Sequence, residues 1–164
     1  EFIDICDLAL LPFEQAAPKL KEAFQSRNAG HRHWALVTCS NFGEKARSLE
    51  EAAKPLLKDP SLLIRTRAAE FLAILGNDPE PTIAGVLAES ESPVETLFVF
   101  NTVVFLRDRP NGNTFNFDIK KIRSTGGEVA RRLEYLGLKA PTSGKGGVKR
   151  PGAKKKNSEK KKKD

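Results

Sequence analysis

The sequence of 164 residues predicts an all-α fold, an α-solenoid stack of helix pairs followed by a disordered lysine-rich tail. Three observations predict it: apolar residues recur at helical spacing, similar stripes return after 30 and 33 residues, and Pro and Gly separate the stripes. Repeats of this length are typical of helix pairs that bury their apolar faces only by stacking. We therefore expect a helical-repeat domain over residues 1–137 and a disordered basic tail over 138–164.

A short opening helix and the first helices of three pairs are predicted over about residues 2–11, 13–25, 44–57 and 79–89. Pro18 and Pro55 weaken the helices that contain them, because an internal proline removes a backbone donor and usually kinks the helix. Both ranges are still expected to be helical.

The second helix of the middle pair is predicted over about 60–75, in "DPSLLIRTRAAEFLAILG". One helical stripe contains Ile64, Ala68, Phe71, Leu72 and Leu75. Asp59 is placed to cap the helix, Pro60 suits its first turn, and Gly76 suits a left-handed stop.

The stretch "SPVETLFVFNTVVFL" is ambiguous, because its β-branched and aromatic residues would also suit a buried strand. The capping chemistry favours a helix over 93–106. Ser92, Pro93 and Glu95 together form a capping box, which is a device of helix starts. This helix is apolar almost all round and is therefore expected in the core, with Asn101 hydrogen-bonded there.

Two alignments relate these segments to one another. A shift of 33 residues aligns "HRHWALVTCSNFG" with the helix at 60–75, placing Arg32 on Arg65 and Gly43 on Gly76. A shift of 30 aligns that helix with the next, placing Ile64 on Val94, Ala68 on Phe98 and Leu75 on Phe105. The three segments are thus predicted to be second helices of successive pairs.

The segment "RPNGNTFNFDIKK" follows the third pair. It contains the turn signal Pro110-Asn111-Gly112 and then alternates Phe115, Phe117 and Ile119, which predicts an extended segment at about 110–120. A last helix is predicted over about 127–136.

The formal charge of +7 is unevenly distributed. Residues 139–164 contain 11 basic and 2 acidic residues, so the tail carries all of the excess positive charge. With Pro, Gly, Ser and Lys and almost nothing apolar, the tail is expected to be disordered. It either solubilises the chain or binds a polyanion such as nucleic acid or an anionic polysaccharide. The lysines of its two runs are Lys154, Lys155, Lys156, Lys160, Lys161, Lys162 and Lys163.

Composition excludes several classes of protein. Thr96 to Leu106 is the longest nearly apolar run and is far shorter than the ~20 residues that span a bilayer, so we expect a soluble chain with no membrane partner. Cys6 and Cys39 are too few for a disulfide framework. The absence of methionine indicates a segment of a longer protein.

The stretch "KDPSLLIRTRAAEFLAILG" resembles a HEAT repeat. The matching residues are Asp59, Ile64, Arg65, Ala68, Ala69, Leu75 and Gly76. The resemblance implies that Arg65 meets a carboxylate or carbonyls of a turn and ties one repeat to the next, while Arg67 faces solvent. The third pair has Glu89 and Glu95 at the corresponding positions, so we expect this series of contacts not to run through it.

Roughly residues 50–123, followed by the lysine-rich end, are similar to the C-terminal extension of certain bacterial sulfatases. The resemblance implies a helical module of an exported sulfate-ester hydrolase, acting on sulfated polysaccharides, whose catalytic domain in cis would hold calcium and formylglycine. The C/S-x-P-x-R signature of that domain does not occur after Cys6 or Cys39. We therefore expect this chain to lack catalytic residues, cofactors and metals of its own.

Other candidate sites are weak. His31 and His33 are two residues apart, whereas two metal ligands on one helical face are typically four apart, so a solvated helix start is favoured. Cys39 with His33 would need an orienting group and an oxyanion site to act as a nucleophile–base pair. Two functions stay open: a non-catalytic sulfatase module, or a stand-alone helical-repeat scaffold that binds another protein, with a polyanion-binding tail.

Overall fold

The computed structural model describes residues 2–116, 118–124 and 126–138, and every regular element in these ranges is helical. The α-helices are α1 (Phe2–Asp7), α2 (Phe13–Phe24), α3 (Ala29–Phe42), α4 (Glu50–Ala53), α5 (Leu62–Ile74), α6 (Glu80–Glu89), α7 (Pro93–Asp108) and α8 (Glu128–Tyr135). Short 3₁₀ segments cover Leu8–Leu10, Gly43–Leu49, Lys54–Lys58 and Ile119–Lys121. The described part of the chain contains no strand, which confirms the all-α prediction for it.

The continuous helix predicted over 44–57 is wrong. This segment is a 3₁₀ stretch, the single turn of α4 and a second 3₁₀ stretch. Pro55 gives the physical reason for the break after α4, because it has no backbone N–H and its ring clashes with the preceding turn of an α-helix. In contrast, α2 runs through Pro18 without a break.

The helix predicted over 93–106 is confirmed, and so is its capping box. Glu95 N donates to Ser92 Oγ at 3.2 Å, and Ser92 N donates to Glu95 Oε2 at 3.2 Å. Its expected surroundings are wrong, because α7 is not buried all round: Val94 is 76% exposed and Asn101 faces solvent. The side chain of Asn101 therefore needs no partner in the core.

Two apolar clusters form the core, and α5 contributes to both. The first joins α1 to α5 and includes Leu20, Leu36 and Phe71. The second joins α6, α7 and α8 around Phe100 and Leu133, with Ala69 of α5 at its edge. α5 contacts both α3 and α7, so it connects the two halves of the described chain.

Beyond α7 the chain turns at Asn111 and Gly112, and residues 113–116 and 118 have no regular structure. Phe117 and the side chain of Ile119 lie outside the described structure, as do residues 139–164, so the alternation and the tail are not described. None of the described helices combines the length and the apolarity needed to cross a membrane.

Candidate interaction surface

Arg32 in α3 and Asp59 in the turn before α5 form an ion pair that is almost out of water. Nε donates to Oδ2 at 2.7 Å and Nη2 donates to Oδ1 at 3.2 Å, with the two side chains 15% and 5% exposed. Arg32 Nη1 also donates to the carbonyl oxygen of Ser26 at 2.7 Å. Asp59 Oδ1 in turn accepts a hydrogen bond from Ser61 N at 2.9 Å. The pair therefore joins the turn before α3 to the turn before α5.

Arg65 makes a similar contact further along the chain. It follows Arg32 by 33 residues, and its Nη1 donates to Glu89 Oε1, at the end of α6, at 2.9 Å. This hydrogen bond lowers the pKa of Glu89. Arg65 thus meets a carboxylate, but at the last residue of α6 and not in a turn as expected, and the expected exclusion of Glu89 from the series is wrong. The series ends at α7, where the fourth residue after the N-cap is Thr96 in place of an arginine, and its Oγ1 donates to the carbonyl oxygen of Ser92 at 3.0 Å.

The remaining residues of the HEAT-like pattern lie on the inner side of α5 and at its end. Gly76 follows the helix with φ of +93°, a conformation that favours glycine. The buried positions are Ile64, Ala68, Ala69 and Leu75. Their burial indicates that they serve packing, while Asp59 and Arg65 make the polar contacts between pairs.

The helix starts correct the predicted register of α7. The N-cap residues of α3, α5 and α7 are Asn28, Ser61 and Ser92, which gives shifts of 33 and 31 residues where the sequence alignments gave 33 and 30. With the shift of 31, buried residues fall on buried residues: Ala68 on Val99, Leu72 on Val103 and Leu75 on Leu106. One residue is a rotation of about 100° around an α-helix, so side chains predicted on the core face of α7 lie towards solvent.

The corrected register places one residue of each helix in a common row. The sixth residue after the N-cap is Trp34 in α3, Arg67 in α5 and Phe98 in α7. Trp34 is 40% exposed, while Arg67 and Phe98 are half-buried. We call these three residues the N6 row. The sequence alignments missed it because they placed Ala68 on Phe98.

Arg67 is the central residue of the N6 row and is not simply solvated as predicted. Its guanidinium lies over the Phe98 ring, with Cζ 4.5 Å from the ring centroid, and it pairs with Glu70. Glu70 is buried, and its Oε2 also accepts a hydrogen bond from Thr102 Oγ1 at 2.8 Å. The acid is thus held beneath the surface by α7, whereas the cation reaches the surface.

The His33 ring closes the gap between the two aromatic residues of the row. Its centroid lies 5.3 Å from that of Trp34 and 6.4 Å from that of Phe98. Burial lowers the pKa of His33, and the positive charge of Arg67 lowers it further. The row is therefore bridged by an imidazole whose neutral form is favoured, which keeps this part of the surface largely apolar.

The exposed side of α7 extends the row along the helix. Val94, Phe98, Asn101 and Phe105 follow one another at spacings of four, three and four residues, and Phe105 is 46% exposed. The Arg109 guanidinium lies over the Phe105 ring, with Cζ 5.6 Å from the ring centroid. The arrangement can bind apolar side chains between two stacked guanidinium groups.

A cleft of about 660 Å³ lies at the other end, between α1, α2 and α3. Ser26 Oγ lies 3.2 Å from His31 Nδ1 at its edge, and it also accepts a hydrogen bond from Asn28 N at 3.1 Å. Both contacts fasten the turn that starts α3. These structural contacts explain why Ser26 and His31 lie close together, so a catalytic role is not needed to explain it.

The pairing of Cys39 with His33 as nucleophile and base, which the sequence already disfavours, gains no support from the state of the thiol. Cys39 is buried, and burial raises the pKa of its thiol to about 12, which disfavours the reactive thiolate. Within the described residues, His, Cys, Asp and Glu do not gather into a group that could hold a metal ion.

Comparisons with protein-family models, with curated proteins and with solved structures find no match for this chain. The tail lysines proposed for polyanion binding lie outside the described residues. A functional argument can therefore be built on the N6 row, the exposed side of α7 and the ion pairs of Arg32 and Arg65.

Proposed function

We propose that the described helices are a HEAT-like stack whose second helices are α3, α5 and α7. Two contacts support this arrangement. The arginine near the start of α3 binds the acid in the turn before α5, and the arginine near the start of α5 binds the acid at the end of α6. In this arrangement each contact would join one helix pair to the next, at the turn inside it or at the end of its first helix, as neighbouring repeats of a stack require.

We further propose that this stack is a non-catalytic C-terminal module of a sulfatase that acts on sulfated polysaccharides. The resemblance of residues 50–123 to such extensions supports it. In this proposal the catalytic domain in cis is the partner, calcium and formylglycine belong to that domain, and the protein is exported. The tail lysines would hold the enzyme near its anionic substrate.

The N6 row is the single observation that carries a docking role for the stack. Trp34 is large and 40% exposed. Its ring contacts the His33 ring, which also contacts the ring of the half-buried Phe98. Aromatic and arginine side chains are the residue types most enriched where proteins bind one another.

The gene upstream of Glu1 provides the first test. A C/S-x-P-x-R motif in a preceding domain would support the sulfatase module, and a start codon close to Glu1 would overturn it. In the longer protein, removal of residues 1–164 should leave turnover of 4-nitrophenyl sulfate nearly unchanged and reduce turnover of a sulfated polysaccharide about tenfold, since the module acts by positioning. Turnover of either ester by residues 1–164 alone would contradict a non-catalytic role.

A second candidate is a stand-alone HEAT-repeat interaction scaffold with a polyanion-binding tail. The exposed apolar side of α7 supports it, because such a surface suits a separate protein partner. Binding of heparin or DNA should weaken steeply with NaCl, and replacement of the seven tail lysines by glutamine should abolish it. Binding that survives this replacement would show that the tail is not the polyanion site.

A further inference from the structure

Asn111 and Gly112 form the turn that follows α7. Of the eight asparagines in the sequence, Asn111 alone precedes a glycine. Its side chain is exposed, and its backbone φ is +57°. A Cβ on Gly112 would lie 2.0 Å from the carbonyl oxygen of Arg107, so the turn excludes a side chain there. The turn therefore holds an exposed side-chain amide next to a backbone nitrogen that no side chain shields.

We propose that Asn111 is a site of spontaneous deamidation, whose rate the guanidinium of Arg109 raises. The modification converts a neutral amide into a carboxylate, and water is its only co-reactant. This inference depends neither on the docking role proposed above nor on the sulfatase assignment.

The first step is an attack of the backbone nitrogen of Gly112 on the side-chain Cγ of Asn111. A bond forms between these two atoms, and the bond between Cγ and Nδ2 breaks. The proton of the attacking nitrogen leaves with Nδ2 as part of ammonia. The product of this step is a five-membered cyclic imide.

The second step is hydrolysis of the imide. Water that attacks Cγ breaks its new bond to the nitrogen and leaves aspartate at position 111. Water that attacks the backbone carbonyl carbon of Asn111 breaks the original peptide bond and leaves isoaspartate, in which the chain continues through Cγ. The nitrogen regains a proton in both cases, and the new carboxylic acid releases one to solvent.

The hydrogen bonds of the turn leave the attacking nitrogen available. Asn113 N donates to the carbonyl oxygen of Leu106 at 3.1 Å, whereas Gly112 N makes no hydrogen bond within the described part of the chain. The attack therefore requires no hydrogen bond of this nitrogen to break first.

The charges around the turn favour the reaction. Arg109 and Asn111 line the same cleft, of about 330 Å³, together with Glu44 and Arg47. Glu44 pairs with Arg47, and Asp108 pairs with Arg107, so neither acid is committed to Arg109. The positive charge of Arg109 favours loss of the proton from the attacking nitrogen and the negative charge that develops on the oxygen at Cγ.

Other asparagines lack this combination. Asn77 Nδ2 donates to Glu50 Oε1 and to the carbonyl oxygen of Leu72, both at 3.1 Å, which holds its amide in place. Asn113 and Asn116 lie close by in the chain, but Thr114 and Phe117 follow them, and both carry a Cβ beside the nitrogen that would attack.

The test is mass spectrometry of the full chain after incubation in mildly alkaline buffer at physiological temperature. A tryptic peptide that contains Asn111, Asn113 and Asn116 should gain about 1 Da with time, because a hydroxyl group replaces the amide nitrogen and its protons. Fragmentation of this peptide should place the gain on Asn111, converted severalfold faster than the other two.

Arg109→Gln should slow the conversion of Asn111, since it removes the nearby positive charge. Arg131→Gln is the matched control, because it removes the same charge from an exposed position on α8 and should leave the rate unchanged. Asn111→Gly should abolish the gain in mass, and glycine suits the positive φ of this position.

Deamidation should also weaken the turn. Isoaspartate adds a backbone carbon where the chain passes close to the last carbonyls of α7. The midpoint of thermal denaturation should therefore fall as the natural sequence ages, and it should stay constant in Asn111→Gly. The proposal is overturned if Asn113 or Asn116 is converted as fast as Asn111, or if Arg109→Gln reacts no more slowly than Arg131→Gln.

Discussion

The Arg32 guanidinium and the Asp59 carboxylate meet through two hydrogen bonds, Nε to Oδ2 at 2.7 Å and Nη2 to Oδ1 at 3.2 Å, although 27 residues separate them in the chain. Arg65 and Glu89 form the corresponding pair, but the Glu89 side chain is 54% exposed whereas that of Asp59 is 5% exposed. Two contacts of the same type thus differ mainly in burial.

Substitution of each arginine by methionine measures how much this difference in burial changes the contribution of the ion pair to the free energy of unfolding. Arg32→Met should lower the free energy of unfolding by about 3 kcal/mol, because it leaves the Asp59 charge buried without compensation. Arg65→Met should lower it by less than about 1 kcal/mol, since water solvates Glu89 in the variant. Urea denaturation of both variants at neutral pH provides the measurement.

A double variant separates the pair from its surroundings. Arg32→Met combined with Asp59→Asn should lower the free energy of unfolding by less than the sum of the two single changes. Each single change leaves one charge of the pair without its partner, whereas the double variant removes both charges. Equal losses for Arg32→Met and Arg65→Met would show that burial does not decide the strength of these contacts.

Phenylalanines in α7 differ in burial because of the helix register. Phe100 is fully buried in the second core cluster, whereas Phe98 is half-buried under Arg67. Phe100→Ala should cost about 3–5 kcal/mol of unfolding free energy as a large-to-small change in the core. Phe98→Ala should cost about half of that or less, since part of its ring already contacts water. A larger loss for Phe98→Ala than for Phe100→Ala in urea denaturation would contradict the register.

Capping residues in the sequence were enough to predict that α7 is a helix. They did not predict which side of α7 faces the core. Ser92, Pro93 and Glu95 identify a helix start from neighbouring residues alone, and the structure has the capping box they predict. Which side faces the core depends on the loop between α6 and α7, and an error of one residue rotates the assignment by about 100°. The expectation that Phe98 and Asn101 lie in the core was wrong for this reason.

The candidate site was harder to predict than the fold because its contacts cross between helices. Arg67 reaches Glu70 within α5, but Thr102 and Phe98 come from α7 and His33 comes from α3. The signal was present in the N-caps, because counting six residues from Asn28, Ser61 and Ser92 gives the N6 row. The break at Pro55 also had a sequence signal, because an internal proline is expected to weaken a helix.

His33 should make stability depend on pH near neutrality. Its pKa is lowered in the folded protein, by burial and by Arg67, while the unfolded chain titrates near the ordinary value of 6.5. The unfolded state therefore binds the proton more readily, and the free energy of unfolding should fall as the pH drops through about 6.5. His33→Gln should flatten this part of the profile, measured by urea denaturation between about pH 7.5 and 5.5.

Glu89 and Glu95 affect the stability of the protein in a more acidic pH range than His33 does. Hydrogen bonds lower the pKa of Glu89 and of Glu95 below the ordinary 4.5, so their contribution to stability is lost only under more acidic conditions.

An NMR titration of the His33 ring tests directly whether its lowered pKa causes the pH dependence near neutrality. A pKa at or above 6.5 in the folded protein would contradict the burial described here.

Gly112 lies in the turn that ends α7, where the backbone passes close to the helix. A Cβ at this position would stand 2.0 Å from the carbonyl oxygen of Arg107 and 2.8 Å from that of Leu106. Asn113 N donates to that Leu106 oxygen at 3.1 Å, so the turn cannot open without losing this bond. Gly112→Ala should therefore lower the free energy of unfolding by about 1–3 kcal/mol.

Gly85 is the matched control, because it lies within α6 and an added Cβ there meets nothing within 4 Å. Gly85→Ala should raise the free energy of unfolding by about 0.5–1 kcal/mol, since alanine has the higher helix propensity and restricts the unfolded chain. Thermal denaturation followed by circular dichroism should thus move the midpoints of the two variants in opposite directions. If Gly112→Ala were neutral, the close approach of the turn to the last carbonyls of α7 would be wrong, and with it the position of Arg109 beside Phe105.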